Sequence, residues 1–150
     1  MDRRHALISL FAAGTLAACG ERKPQFAAVD LTGPDYAKDF QLPDTEGKLR
    51  SLQDFRGKAV VVFFGFTQCP DVCPTTLAEI AQAKQLLGPD GAKVQGIFIT
   101  VDPERDTPQV LKAYMANFGT DFVALRGSPE QTAAVAKDFK VYYKKVEGKT

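Results

Sequence analysis

An apolar run, Ala59-Val60-Val61-Val62-Phe63-Phe64-Gly65-Phe66, leads within three residues into Cys69-Pro70-Asp71-Val72-Cys73-Pro74. This pairing constrains the fold more than any other feature of the chain. A near-continuous apolar run of this length predicts a strand covered on both faces of a parallel sheet. A strand that delivers two thiols to the start of a helix is a layout for redox exchange or for gripping a soft metal ion. Pro74 lacks an N–H and suits the first helical position, which predicts Cys73 as the N-cap residue and Cys69 in the turn before it. Unpaired N–H groups at that helix end favour thiolate, so both sulfurs are expected to be more acidic than an ordinary cysteine.

Around this unit, strand and helix patterns alternate. Phe40-Gln41-Leu42 and Lys48-Leu49-Arg50-Ser51-Leu52 flank the turn Asp44-Thr45-Glu46-Gly47 and predict a β-hairpin. After the cysteines, Leu77, Ile80, Ala81 and Leu87 share one face of a helix that Gly88-Pro89 stops. Val94 to Val101 is a second strand. Thr107-Pro108 caps a second helix, with Val110, Leu111, Tyr114, Met115 and Phe118 inward and Gly119 at its end. Phe122 to Leu125 is a short third strand, and Ser128-Pro129-Glu130-Gln131 has the form of a capping box before Val135, Ala136 and Phe139. The order implies an α/β fold with a parallel sheet. Val141 to Val146 reads as a further strand and Glu147-Gly148-Lys149 as a turn. An unpaired terminal strand is an exposed edge, so the sequence is expected to end before its domain does.

The chain has 150 residues, 45% of them apolar, which suits one globular domain. Its formal charge of +1 and lack of a basic stripe argue against a nucleic-acid partner. The first residues read as an export signal: Arg3 and Arg4 precede the apolar stretch Leu7 to Leu16, too short to span a bilayer. Leu16-Ala17-Ala18-Cys19 resembles a lipobox, in which Cys19 is acylated and becomes the first mature residue. A secretory signal with Cys19 incidental is the alternative. The expected organisation is thus a signal with its lipobox cysteine over residues 1–19, a tether over 20–39 and the folded domain over 40–150. Lipidation would leave Cys69 and Cys73 as the mature chain's thiols, in a compartment where thiols oxidise unless used or maintained.

A purely structural disulfide is a weak reading of the pair, since closing so small a loop removes little unfolded-state entropy. Tetrahedral zinc is also weak, because no second Cys or His pair completes four ligands. Two thiolates held by a wider loop than a two-residue spacing suit Cu(I).

Phe63 to Leu77, with Cys69-Pro70-Asp71-Val72-Cys73-Pro74 at its centre, followed by Val101-Asp102-Pro103-Glu104-Arg105-Asp106-Thr107-Pro108, resembles the SCO/SenC family of copper chaperones from about Phe40 to Lys145. The resemblance implies a thioredoxin-like fold and membrane tethering facing the periplasm or its equivalent. It also implies one copper per chain, Cu(I) foremost, held by Cys69 and Cys73. The copper would be delivered to the dinuclear copper site of cytochrome c oxidase, through its copper-receiving subunit or another copper carrier. The family's third ligand is a histidine beyond the stretch present here, and the sequence's one histidine is His5 in the signal. The rival reading is a thiol-disulfide oxidoreductase that keeps a partner's cysteines reduced, and a third is a redox-sensing module. Asp102 and Arg105, past the second strand, are candidate site-wall residues, while Asp106 and Thr107 are expected to cap the second helix. Asp71, between the thiols, faces a partner or water. Lys144 and Lys145 are read as a solvated strand face, and Met115 as core.

Overall fold

The computed structural model describes residues 27–119 and 121–146. Arg3, Arg4, His5, Cys19 and the turn at Glu147-Gly148-Lys149 lie outside the described residues. The chain forms two units, residues 1–34 and 35–150. Residues 27–34 of the first carry bends without helix or strand.

The second unit begins with the hairpin that the alternating pattern predicts, β1 (Leu42–Pro43) antiparallel to β2 (Leu49–Arg50). The Asp44 carboxylate closes its turn by accepting from the N–H of Glu46 and Lys48, both at 2.9 Å. A 3-10 turn over Leu52–Phe55 leads into β3 (Ala59–Gly65). Then follow α1 (Val72–Leu86), a 3-10 segment (Gly88–Lys93), β4 (Val94–Thr100), α2 (Pro108–Met115), β5 (Val123–Leu125) and α3 (Pro129–Asp138). β3, β4 and β5 form a parallel sheet in that order, with Gly65 opposite Thr100 at the carboxyl end of the first pair.

β4 is central and buried from Gln95 to Thr100, and its alternation divides the core. Ile97 and Ile99 face Phe40, Leu42, Phe55 and Leu125, joined by Val135 and Phe139. Phe98 faces Leu77 of α1 and Leu111 and Met115 of α2, joined by Phe63, Tyr114 and Phe118. The hairpin and α3 therefore close one side of the sheet, and α1 and α2 the other. Met115 is core, as its spacing predicts.

The caps follow the sequence. Thr107 Oγ1 accepts from the Val110 N–H at 3.3 Å, and Ser128 and Gln131 form a reciprocal capping box.

Three expectations fail for local reasons. β3 is covered less than its composition suggests: it pairs with β4 alone among the described residues, and Val61 is 36% exposed. Leu87 is exposed because α1 ends at Leu86 and Gly88 turns the chain at φ 54°. Val141 to Val146 forms no strand. Lys140, at φ 58°, ends α3, and the chain beyond finds no ladder partner among the described residues, leaving Tyr142 and Val146 exposed. A period-2 pattern needs a neighbouring strand to become one.

Candidate metal centre

β3 ends at Gly65 and the chain turns through Thr67 and Gln68 to Cys69. The Cys69 N–H donates to the Phe66 carbonyl at 3.3 Å, closing that turn. α1 starts two residues earlier than Pro74 predicts: Asp71 occupies the N-cap position, Val72 begins the helix and Cys73 lies in its first turn. This differs from the expected N-cap Cys73, because Pro74 has no N–H to lose anywhere in the first turn. The shift points Cys73 inward, where it is buried, and leaves Cys69 half-exposed in the turn.

Both cysteines are free thiols, and the Cys73 N–H donates to Cys69 Sγ at 3.4 Å. The two sulfurs differ in acidity, contrary to the expectation of two acidic thiols. Burial alone would raise the Cys69 thiol, but hydrogen bonds from the Cys73 side chain and from the N–H groups of Cys73, Asp71 and Val72 bring it below the ordinary range. Burial pushes Cys73 up to about 11, aided by its hydrogen bond to Cys69 and by the charges of Cys69 and Asp106. The helix start favours thiolate at one sulfur alone, because the inner sulfur loses more to desolvation than it gains from the backbone.

Gly65 makes room for the inner thiol. A Cβ there would lie 2.8 Å from Phe98 Cε2, 3.0 Å from Cys73 Sγ and 3.1 Å from Phe63 Cε1.

Asp106 does not cap α2. It is buried, 1% exposed, and accepts from the Thr67 N–H at 3.1 Å, from Thr67 Oγ1 at 2.6 Å and from Thr100 Oγ1. One carboxylate thereby ties the end of β4 to the loop that carries Cys69. The sequence held a signal for this, one threonine at the end of β4 and another two residues past its paired strand β3.

Asp102 and Arg105 form an ion pair, and Arg105 Nη1 donates to Gln68 Oε1 at 3.2 Å. Both line an open cleft of about 300 Å3 with Phe66, Val101 and Tyr143. Asp71 is exposed; its side chain accepts from Thr75 Oγ1 at 3.4 Å. Lys145 pairs with Glu104 instead of standing on a strand face. The Tyr114 hydroxyl is buried without a hydrogen-bond partner among the described residues, and burial, then the charges of Cys73, Cys69 and Asp106, raise its pKa. Among the described residues no three Cys, His, Asp or Glu side chains converge as a metal cluster. The site is a thiol pair with donors around it, chemically able to hold a soft cation or to exchange disulfides.

Comparison with known proteins places the fold and the family. The SCO2-like protein of Rickettsia felis is 39% identical over 110 residues, covering 73% of this chain and 54% of that protein. The chain thus spans about half the length of the curated relatives it matches first. The structure of Bradyrhizobium japonicum ScoI with copper bound superposes with a TM-score of 0.69 at 46% identity, covering 75% of this chain and 71% of that one. BsSco, described as having a disulfide switch and as a member of the Sco family of cytochrome c oxidase assembly proteins, gives a TM-score of 0.60 at 29% identity, covering 73% and 67%. The fold is therefore the thioredoxin-like α/β fold of these proteins, with the hairpin at its start. Residues 29–150 match the SCO1/SenC family, and the chain belongs to it.

Proposed function

We propose that this protein is a copper carrier that holds one Cu(I) between Cys69 and Cys73 and passes it by ligand exchange toward the dinuclear copper site of cytochrome c oxidase. The observation that carries this reading is the thiol pair itself: a half-exposed sulfur in a ring of N–H donors beside a buried sulfur one helical turn on. Two thiolates suit a soft monovalent ion, and the exposed sulfur offers an entry and exit point. The receiving partner is the copper-binding subunit of the oxidase or another carrier. Binding of Cu(I) with one-to-one stoichiometry, abolished by Cys69→Ser and by Cys73→Ser, tests it; a protein that takes up no Cu(I) overturns it.

The second reading is thiol-disulfide exchange. It is favoured by the acidity difference, since an acidic exposed thiol can attack a partner's disulfide and a buried one can resolve the mixed disulfide. Reduction of an external disulfide by the metal-free dithiol protein, lost in Cys69→Ser, would support it.

We also propose that residues 1–19 are a lipoprotein signal ending at Cys19, that 20–39 are a tether and that 40–150 are the functional domain, facing the periplasm. Metabolic labelling with a fatty acid, lost in Cys19→Ala, tests the anchor. Asp102 and Arg105 are proposed to orient the cysteine loop through Gln68, with Asp71 facing the partner.

A further inference from the structure

Asp106 places a carboxylate, 1% exposed, between the end of β4 and the loop that carries Cys69. Burying an acid is costly, and a packed apolar side chain of similar size would fill the place without that cost. Packing alone gives no reason for the acid.

What it grips supplies one. Phe66 to Pro70, between β3 and the cap of α1, has one backbone hydrogen bond within itself among the described residues, from the Cys69 N–H to the Phe66 carbonyl. Pro70 has no N–H to add another. The shape of this segment therefore depends on what holds it from outside, and two consecutive residues are held from the stretch between β4 and α2. Asp106 accepts from both the N–H and the hydroxyl of Thr67, at 3.1 and 2.6 Å, while Arg105 reaches Gln68 at the surface. The gripping stretch is itself locked. The N–H groups of Asp106 and Arg105 donate to the Asp102 carbonyl at 3.0 and 3.2 Å. The Asp102 N–H donates at 3.0 Å to Thr100 Oγ1, the hydroxyl that itself donates to Asp106. Cys69 thus stands two residues from a point fixed to β4, and Cys73 stands on α1.

Resting on the reading that the two sulfurs act together on one Cu(I), we propose that Asp106 is a positioning residue: through Thr67 it fixes Cys69 at the separation from Cys73 at which both can hold the ion. The grip acts through hydrogen bonds. An asparagine reproduces it, its carbonyl oxygen accepting from the Thr67 N–H and the Thr100 hydroxyl and its NH2 donating to Thr67 Oγ1.

Variants separate the grip from charge and from stability. Asp106→Ala releases Thr67, Asp106→Asn keeps the hydrogen bonds without the charge, and Leu125→Ala lowers stability at a buried position in the opposite core layer. The spacing of the sulfurs is read without metal by equilibrating each protein with glutathione. Closing the Cys69–Cys73 disulfide passes two electrons and two protons to oxidised glutathione, which leaves as two reduced molecules. In Asp106→Ala that equilibrium constant should fall about ten- to a hundredfold, the scale on which a displaced reacting group loses its held geometry. The Cu(I) dissociation constant, from competition with a chromophoric chelator, should rise by a similar factor. Thr67→Val, which loses the hydroxyl contact alone, should shift both values the same way by less. Asp106→Asn and Leu125→Ala should stay within about threefold of wild type in both. Wild-type values in both Asp106→Ala and Thr67→Val overturn the proposal. An equal loss in Asp106→Asn overturns it in favour of charge, and an equal loss in Leu125→Ala in favour of stability. If wild type takes up no Cu(I), the carrier reading falls and takes the copper role of Asp106 with it, whatever the glutathione equilibrium shows.

Discussion

The backbone N–H of Cys73 points at the sulfur of Cys69, 3.4 Å away, so the residue that carries the inner thiol also stabilises the outer one. The same turn leaves Cys73 buried against Gly65 and Phe98. Two cysteines of one motif thus become an acidic, accessible sulfur and a weakly acidic, enclosed one.

Alkylation should read this difference directly. At pH 8 iodoacetamide should modify Cys69 first, because Cys73, raised to about 11, is thiolate in only about one molecule in a thousand. Peptide mass spectrometry after timed quenching gives the order. Equal rates at both positions would contradict the assignment.

The same shift has a sign for stability. Cys73 ionises in the unfolded chain near 9.0 but in the folded one only at about 11, so the native state holds more protons between those values. Its contribution to stability is present below pH 9 and is lost as pH rises toward 11. Denaturant midpoints of wild type should fall more steeply than those of Cys73→Ala across that window.

Gly65→Ala introduces a methyl where Phe98, Phe63 and Cys73 Sγ already crowd. Overpacking of this kind costs about 1–3 kcal/mol, visible in urea denaturation. Since the methyl presses on the inner sulfur, Cu(I) affinity should fall along with stability.

Asp106→Ala leaves three donors without their acceptor, the Thr67 N–H and the hydroxyls of Thr67 and Thr100. The buried site predicts a loss of about 2–4 kcal/mol, from the cost of unsatisfied buried groups. Amide exchange should rise first in Thr67 to Cys69, the segment the carboxylate holds.

Arg105→Ala removes an ion pair whose arginine is half exposed, so global stability should change by less than about 1 kcal/mol. The contact with Gln68 is lost as well. Faster amide exchange at Gln68 and Cys69 with an unchanged melting temperature is the expected signature.

Much of the fold could be read from local pattern. Thr107 and Ser128 start helices because their side chains accept the first free N–H groups, an effect confined to a few residues. The hairpin, the order of strands and helices, and Met115 in the core follow from spacing in the same way. Val141 to Val146 shows the limit, since strand-like alternation there meets no partner among the described residues.

The sequence by itself determined that two thiols stand where a strand meets a helix, because that depends on residue order and on where Pro74 can sit. Tertiary structure decided what each thiol is. Burial against Gly65 and Phe98 separates Cys73 from Cys69 in acidity, and Asp106 leaves its capping role to bind the end of β4 and the loop that carries Cys69. Each of these depends on groups distant in the chain being brought into a dry interior, where desolvation outweighs the local helix-end effect.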